Sequence, residues 1–227
     1  MPDIAANLNY LRKQVPPSVK LVAVSKTKPV ETLMTAYDAG QRIFGENRVQ
    51  EILDKKGNLP SDIQWHMIGH LQTNKVKFII PFISLIHSVD SFRLLSVIDG
   101  ESKKTGRITE CLLQIHIAEE ETKTGFLLNE IIEAHEELSK YRNVKLRGVM
   151  GMATFTQDTD QVRKEFRYLA ECFDILKNRF FNSGDEFSEI SMGMSGDYMI
   201  AIEEGSTMIR VGSLIFGERN LTTKNNG

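Results

Sequence analysis

A chain of 227 residues, 41% of them apolar, is long enough for a sizeable core and fits one α/β barrel or one to two smaller domains. Its formal net charge of −2 excludes a global pull toward nucleic acid or an anionic membrane surface. Its two cysteines, Cys111 and Cys172, lie far apart in apolar segments without metal spacing, which predicts buried free thiols in a reducing compartment.

The opening "MPDIAANLNYLRKQ" is amphipathic and lacks the apolar run of a signal peptide. No later stretch approaches the ~18 apolar residues of a membrane span. The expectation is a soluble, cytoplasmic protein. The first strand is "KLVAV", 20–24, and Lys26 follows it. Two readings stand for a lysine there. It snorkels to solvent from the strand end, or it is a Schiff-base lysine whose amine is made nucleophilic by burial or nearby charge.

Further strands are expected at 42–44, 63–67, 84–88, 110–117, 145–150, 187–191 and 207–211. Helical segments fall between them. "KPVETLMTAYDAG" has Pro29 at the expected first helical position and Gly40 past the last turn. "ENRVQEILDKKG" stops at Gly57, and "SFRLLSVIDGESKK" opens on Ser91 as N-cap. "NEIIEAHEELSKY" is expected to start at Asn129, with Ile131, Ile132, His135 and Leu138 on one face. Val162, Phe166, Leu169, Phe173 and Leu176 repeat at helical spacing and read as core.

Eight strands, each followed by a helical segment, predict a single-domain (β/α)8 TIM barrel over residues 1–219. The tail "NLTTKNNG", 220–227, reads as disordered. An open doubly wound sheet is the alternative. That fold usually carries a glycine-rich turn after its first strand, and here the turn is "SKTKP".

Barrel function belongs to the C-terminal ends of strands, with phosphate often held after strands seven and eight. After strand seven comes "SMGMSGDYMIAIEEG", where Gly193, Ser195 and Gly196 precede a helical run near Asp197. Small residues there let backbone N–H groups approach an anion, and Ser195 has a hydroxyl to donate. After strand eight, Gly212 and Ser213 of "RVGSLIFG" are placed to close on the same phosphate. Arg210 ends strand eight, which neighbours strand one in a closed barrel. A lysine, an arginine and a phosphate cradle at one mouth point to a pyridoxal 5′-phosphate (PLP) site.

Other candidates carry less. His66 and His70 flank "MIG" after strand three, and a strand-to-loop stretch does not aim both at one metal. His66 reads as a strand histidine with a hydrogen-bond partner, and His70 as lining the mouth. Lys123 of "KTGF" and the acidic run 119–121 read as solvated loop. Basic residues are scattered and not interleaved with aromatics, leaving no nucleic-acid footprint.

The segments "LVAVSKTKP", "FGENRVQE", "WHMIGHLQTNK", "HSVD", "KTGF", "SMGMSGDY" and "MIRVGSLIFGER" resemble, nearly motif for motif, the YggS/PROSC family. These are single-domain pyridoxal phosphate homeostasis proteins related to the barrel domain of alanine racemase. The resemblance runs from about residue 4 to residue 219. It implies that Lys26 carries PLP as a Schiff base and that Asn47 lies beside the ring. It also implies phosphate contacts from Ser195, Gly212 and Ser213, with the neighbouring Met194 in the cofactor shell. Arg210 would partner the pyridine nitrogen. The stretch ahead of "KLVAV" is short, so a curtailed first helix is expected, and "GVMGMATFT" departs from the family pattern.

Two function classes follow. One is a protein that stores, buffers or delivers PLP within vitamin B6 metabolism, with free amino acids and PLP-dependent apoenzymes as partners. The other is a PLP-dependent amino-acid racemase. Racemisation needs acid–base groups on both faces of a carbanion. The related racemases take one from a further β-rich domain across a dimer. This chain stops soon after strand eight, so a monomeric homeostasis protein that is not an enzyme is expected.

Overall fold

A computed structural model describes residues 2–119, 124–181 and 186–218. Helix α1 (Ile4–Gln14) is capped by Asp3, whose carboxylate accepts the Ala6 N–H. It forms over eleven residues despite the short segment ahead of the first strand. Eight strand–helix units follow. They are β1 (Lys20–Val24) and α2 (Val30–Asp38), β2 (Ile43–Glu46) and α3 (Val49–Lys56), then β3 (Gln64–Met67) and α4 (Val76–Ile79). Next come β4 (Leu85–Val89) and α5 (Phe92–Thr105), then β5 (Thr109–Gln114) with the short α6 (Leu128–Glu133) and α7 (His135–Leu138). The last three are β6 (Val144–Met150) with α8 (Thr159–Phe180), β7 (Glu189–Ser191) with α9 (Tyr198–Glu203), and β8 (Met208–Val211) with α10 (Ser213–Phe216).

The strands pair in parallel in sequence order and close into a barrel, as the alternation predicts. The seam joins β1 to β8 with Val22 opposite Arg210 and Ala23 opposite Val211. Strand alternation then divides the core. Ala23, Phe44, Trp65 and Ile209 face outward into a large apolar layer under the helices. Val22, Leu85, Leu112, Met150 and Met208 fill the barrel's interior. Cys111 and Cys172 are buried free thiols, and burial raises both, Cys172 to about 11. Among the described residues no helix is long and apolar enough to cross a membrane.

Several boundaries differ from the sequence reading. Pro29 is the N-cap of α2 and Val30 its first helical residue. The run expected to continue as strand to 117 leaves β6 after Ile115, whose N–H still donates to Met150 O at 2.8 Å. Ile115 also pairs with Phe126, the His116 N–H donating to Phe126 O and the Phe126 N–H to Gln114 O. The helix expected from Asn129 begins at Leu128 and breaks at Ala134. The Glu130 carboxylate accepts the Leu127 N–H, doing the capping expected of Asn129. Of the proposed apolar face only Ile131 is fully buried. His135 is exposed and stacks on Phe180 of α8. Lys123, residues 120–121 of the acidic run, and the tail 220–227 lie outside the described residues.

Candidate functional site

All the residues named for a cofactor come to one place. A cavity of about 760 Å³ at the C-terminal end of the barrel is lined by Lys26, Asn47, Met194 and Ser195, and by Arg210, Gly212 and Ser213. The strands deliver them by parity. Val22 and Val24 of β1 face inward, so Lys26 and Lys28 fall on the same side. The structure separates the two lysines where alternation could not. Lys28 Nζ donates to the carbonyls of Phe216, Gly217 and Glu218, at 2.9, 3.3 and 3.4 Å, and so clasps the end of α10.

Lys26 precedes a strained turn. Thr27 has φ +65°, the one positive φ among described non-glycine residues, and a β-branched side chain rarely tolerates it. Two hydrogen bonds hold it: Thr27 N–H to the Glu51 carboxylate at 2.7 Å, and Lys28 N–H to Ser25 O at 3.0 Å. Behind the turn lies a buried charge cluster. Lys55 of α3 donates to Glu46 at 2.7 Å, to Glu51 at 3.0 Å and to Ser25 O at 3.0 Å, while the Ser25 hydroxyl donates to Glu46 at 2.6 Å. Glu46 is fully buried and its Oε2 has no partner. Burial raises its carboxyl to about 6 against the pull of Lys55 and Ser25. Partial burial also works to raise Glu51, but the Thr27 N–H and Lys55 outweigh it and hold that carboxyl below its ordinary value.

Across the seam, Ser195 Oγ accepts the Gly212 N–H at 3.2 Å, which joins the loops after β7 and β8. Its own hydroxyl hydrogen remains available to an acceptor in the cavity. Gly212 suits a close approach, because a Cβ there would stand 3.1 Å from Val24 O on β1. The first carbonyl of α10's ladder, Gly212 O, serves Ile215 and Phe216, so the Ser213 and Leu214 N–H groups fall ahead of it. Asp197 shares the cavity, and its carboxylate accepts the Met194 N–H.

Arg210 is 4% exposed. Its Nη1 donates to Ser191 Oγ at 2.6 Å and its Nη2 to Gly151 O at 3.0 Å, using two of five guanidinium hydrogens. Burial lowers it to about 10, with Asp197 opposing, so it stays charged at neutral pH. Opposite, Asn47 is fixed by the loop after β3. A Cβ at Gly69 would stand 2.5 Å from Asn47 O.

His70 does not line this cavity. It is exposed, pairs with Asp90 at 3.2 Å, and borders a separate cleft of about 300 Å³ with Gln72, Asn74 and Arg93. His66 does have its hydrogen-bond partner, which is His87. Sequence reasoning missed the wall formed by Thr154, Thr156 and Gln157 after β6. The available signal was a run of polar residues directly after a strand. Thr154 is held there by Glu165, which accepts both its N–H at 2.6 Å and its hydroxyl at 2.7 Å.

A family profile described as "Alanine racemase, N-terminal domain" matches residues 1–220. A pyridoxal phosphate homeostasis protein of Aquifex aeolicus is 39% identical over 201 residues, covering 88% of this chain and 87% of the relative. The chain belongs to the pyridoxal phosphate homeostasis family. A second such relative, from Vibrio alginolyticus, is 35% identical over 97% of this chain and 99% of its own. PipY of Synechococcus elongatus PCC7942, solved with PLP bound, superposes with a TM-score of 0.87 at 37% identity, covering 95% of this chain and all of PipY. An alanine racemase of Clostridium difficile 630 shares the fold, with a TM-score of 0.77 at 17% identity, and this chain spans 56% of its length.

Proposed function

We propose that this chain binds pyridoxal 5′-phosphate in the Lys26 cavity and serves the homeostasis of the cell's PLP pool. One observation carries the reading: an amine, a buried guanidinium and a hydroxyl-and-amide cradle converge on one cavity across the β1–β8 seam. The residues fit the group. Lys26 supplies the amine for covalent attachment, Arg210 a fixed cation for the ring nitrogen, and Asn47 a polar neighbour for the ring. Ser195, Gly212 and Ser213 supply donors for the phosphate, beside Met194. When bound, PLP supplies an aldehyde that captures amines and an electron sink. The PLP-bound relative PipY, with high coverage of both chains, supports the assignment.

Storage and delivery suit this site better than turnover. Arg210 is a donor at neutral pH, so it favours an unprotonated ring nitrogen, a weaker electron sink. Residues 1–219 then act as one PLP-binding unit, monomeric and cytoplasmic, exchanging cofactor with free amino acids and PLP-dependent apoenzymes. Purified protein reduced with borohydride should carry the pyridoxyl group on Lys26 by mass spectrometry. A label confined to Lys28 or Lys123 overturns the assignment. Incubation with L- and D-alanine in deuterated water should give no enzymatic exchange. Turnover of ~1 s⁻¹ or more would establish a racemase.

A further inference from the structure

A chain of buried polar side chains crosses the barrel beneath this cavity. His66 Nδ1 on β3 is 2.9 Å from His87 Nε2 on β4, with the rings 5.0 Å apart. His87 Nδ1 is 2.9 Å from Ser191 Oγ on β7, and that oxygen takes the 2.6 Å bond from Arg210 Nη1 on β8. All four residues are at least nine-tenths buried, with His87 and Ser191 fully so.

One end of the chain sets the direction of every bond. A guanidinium only donates. Ser191 therefore accepts from Arg210, and because His87 Nδ1 is the only other partner of its Oγ among the described residues, its own hydrogen goes there. A ring that accepts at Nδ1 carries its single proton on Nε2, which His87 donates to His66 Nδ1. His66 in turn holds its proton on Nε2. A second proton on His66 would set donor against donor at His87 Nε2–H, and one on His87 Nδ1 would leave the Ser191 hydrogen without its acceptor, in a site closed to water. The surroundings agree. Burial, with Lys20 nearby, lowers His66 to about 3, and burial with His66 and Arg210 holds His87 well below its ordinary value. Lys20 carries Glu189 as its ion partner at the other end of the barrel.

We infer that His87, backed by His66, is a positioning residue that acts through Ser191 to fix the orientation of the Arg210 guanidinium where it lines the pocket. The inference rests on Arg210 facing the PLP ring in the reading above. With Nη1 and Nη2 both anchored, the remaining N–H groups keep one line toward a ring acceptor. The relay stays neutral and passes no charge to the site.

Two substitutions and one spectrum test this. His87→Leu leaves the Ser191 hydroxyl without its acceptor, whereas His87→Asn places an amide oxygen near the lost Nδ1. His87→Leu should shift the visible absorption maximum of the bound cofactor and weaken its retention roughly tenfold. His87→Asn should restore both, and the cofactor-free melting temperatures of the two variants should not track the effect. Equal losses in both variants, following a lowered melting temperature, would reduce His87 to core packing. Wild-type absorbance and retention in His87→Leu would also overturn the inference. Long-range ¹H–¹⁵N spectra of the cofactor-free wild-type protein decide the bond directions whether or not the variants fold. Both rings should be neutral Nε2–H tautomers that do not titrate between about pH 5.5 and 9. A proton on Nδ1 of either ring, or titration in that range, defeats the proposal. Absence of any borohydride label on wild-type protein would instead defeat the PLP reading, and the spectra separate the two failures.

Discussion

Lys26 and Lys28 stand two residues apart just beyond β1, both lining the cavity, and their surroundings differ. Lys26→Ala should abolish the borohydride-stable label while leaving thermal melting nearly unchanged, since a strand-end side chain adds little to the core. Lys28→Met should keep the label. It should cost on the order of 1–2 kcal/mol of stability in denaturant melts, because three carbonyls at and just past the end of α10 lose a charged donor. Ser195→Ala removes one donor to a phosphate, worth about 1.5–3 kcal/mol, or roughly ten- to a hundredfold in affinity. Its preference for phosphorylated over unphosphorylated pyridoxal, measured by equilibrium binding, should fall accordingly. Unchanged preference would mean the cradle is misplaced. Lys26, Ser195, Arg210, Gly212 and Ser213 were readable from sequence because each ends or follows a strand, whereas Asn47 and Met194 came only from the family resemblance. Alternation treats the two lysines alike, so in sequence only the family resemblance favoured Lys26; the structure adds that Lys28 Nζ is engaged by the carbonyls of residues 216–218.

The β1 turn, β2 and α3 form a unit held by Glu46, Lys55 and Glu51. Glu46 keeps its proton more tightly folded than unfolded, its carboxyl rising from 4.5 to about 6. Its contribution to stability is therefore full below pH 4.5 and is lost as the pH rises through about 6. The shift corresponds to about 2 kcal/mol. Denaturant melts from about pH 4 to 7 should show wild-type protein losing that much relative to Glu46→Gln. Parallel pH profiles for the two proteins would contradict it. This cluster was hidden in the sequence, because its members meet only when α3 packs over the ends of β1 and β2. The same limit hid His87 and Ser191, which join across the barrel. The strand–helix alternation was legible throughout, since each apolar run is short and bounded. Where it misled, at residues 115–117 and at the start of α6, a pairing with Phe126 and the capping carboxylate of Glu130 set the backbone.

At the scale of the whole molecule, the site belongs to the seam. Gly212 packs tightly against Val24 across it, with room for a Cβ only if the neighbour gives by a few tenths of an ångström. Gly212→Val should lower both the melting temperature and cofactor retention. Gly212→Ala needs a shift of only a few tenths of an ångström and should be milder in both. The seam also sets when in the life of a molecule the site can exist. Lys26 leaves the ribosome first, and Arg210 emerges 184 residues later (210 − 26). At ordinary elongation rates that is a wait of roughly 10–40 s, during which the first strand has no eighth strand to lie against. A nascent chain holds the amine long before it holds the guanidinium or the phosphate cradle. On the proposed reading the full site forms only after Arg210 has emerged, and the colour of a preparation counts the closed barrels that hold the cofactor.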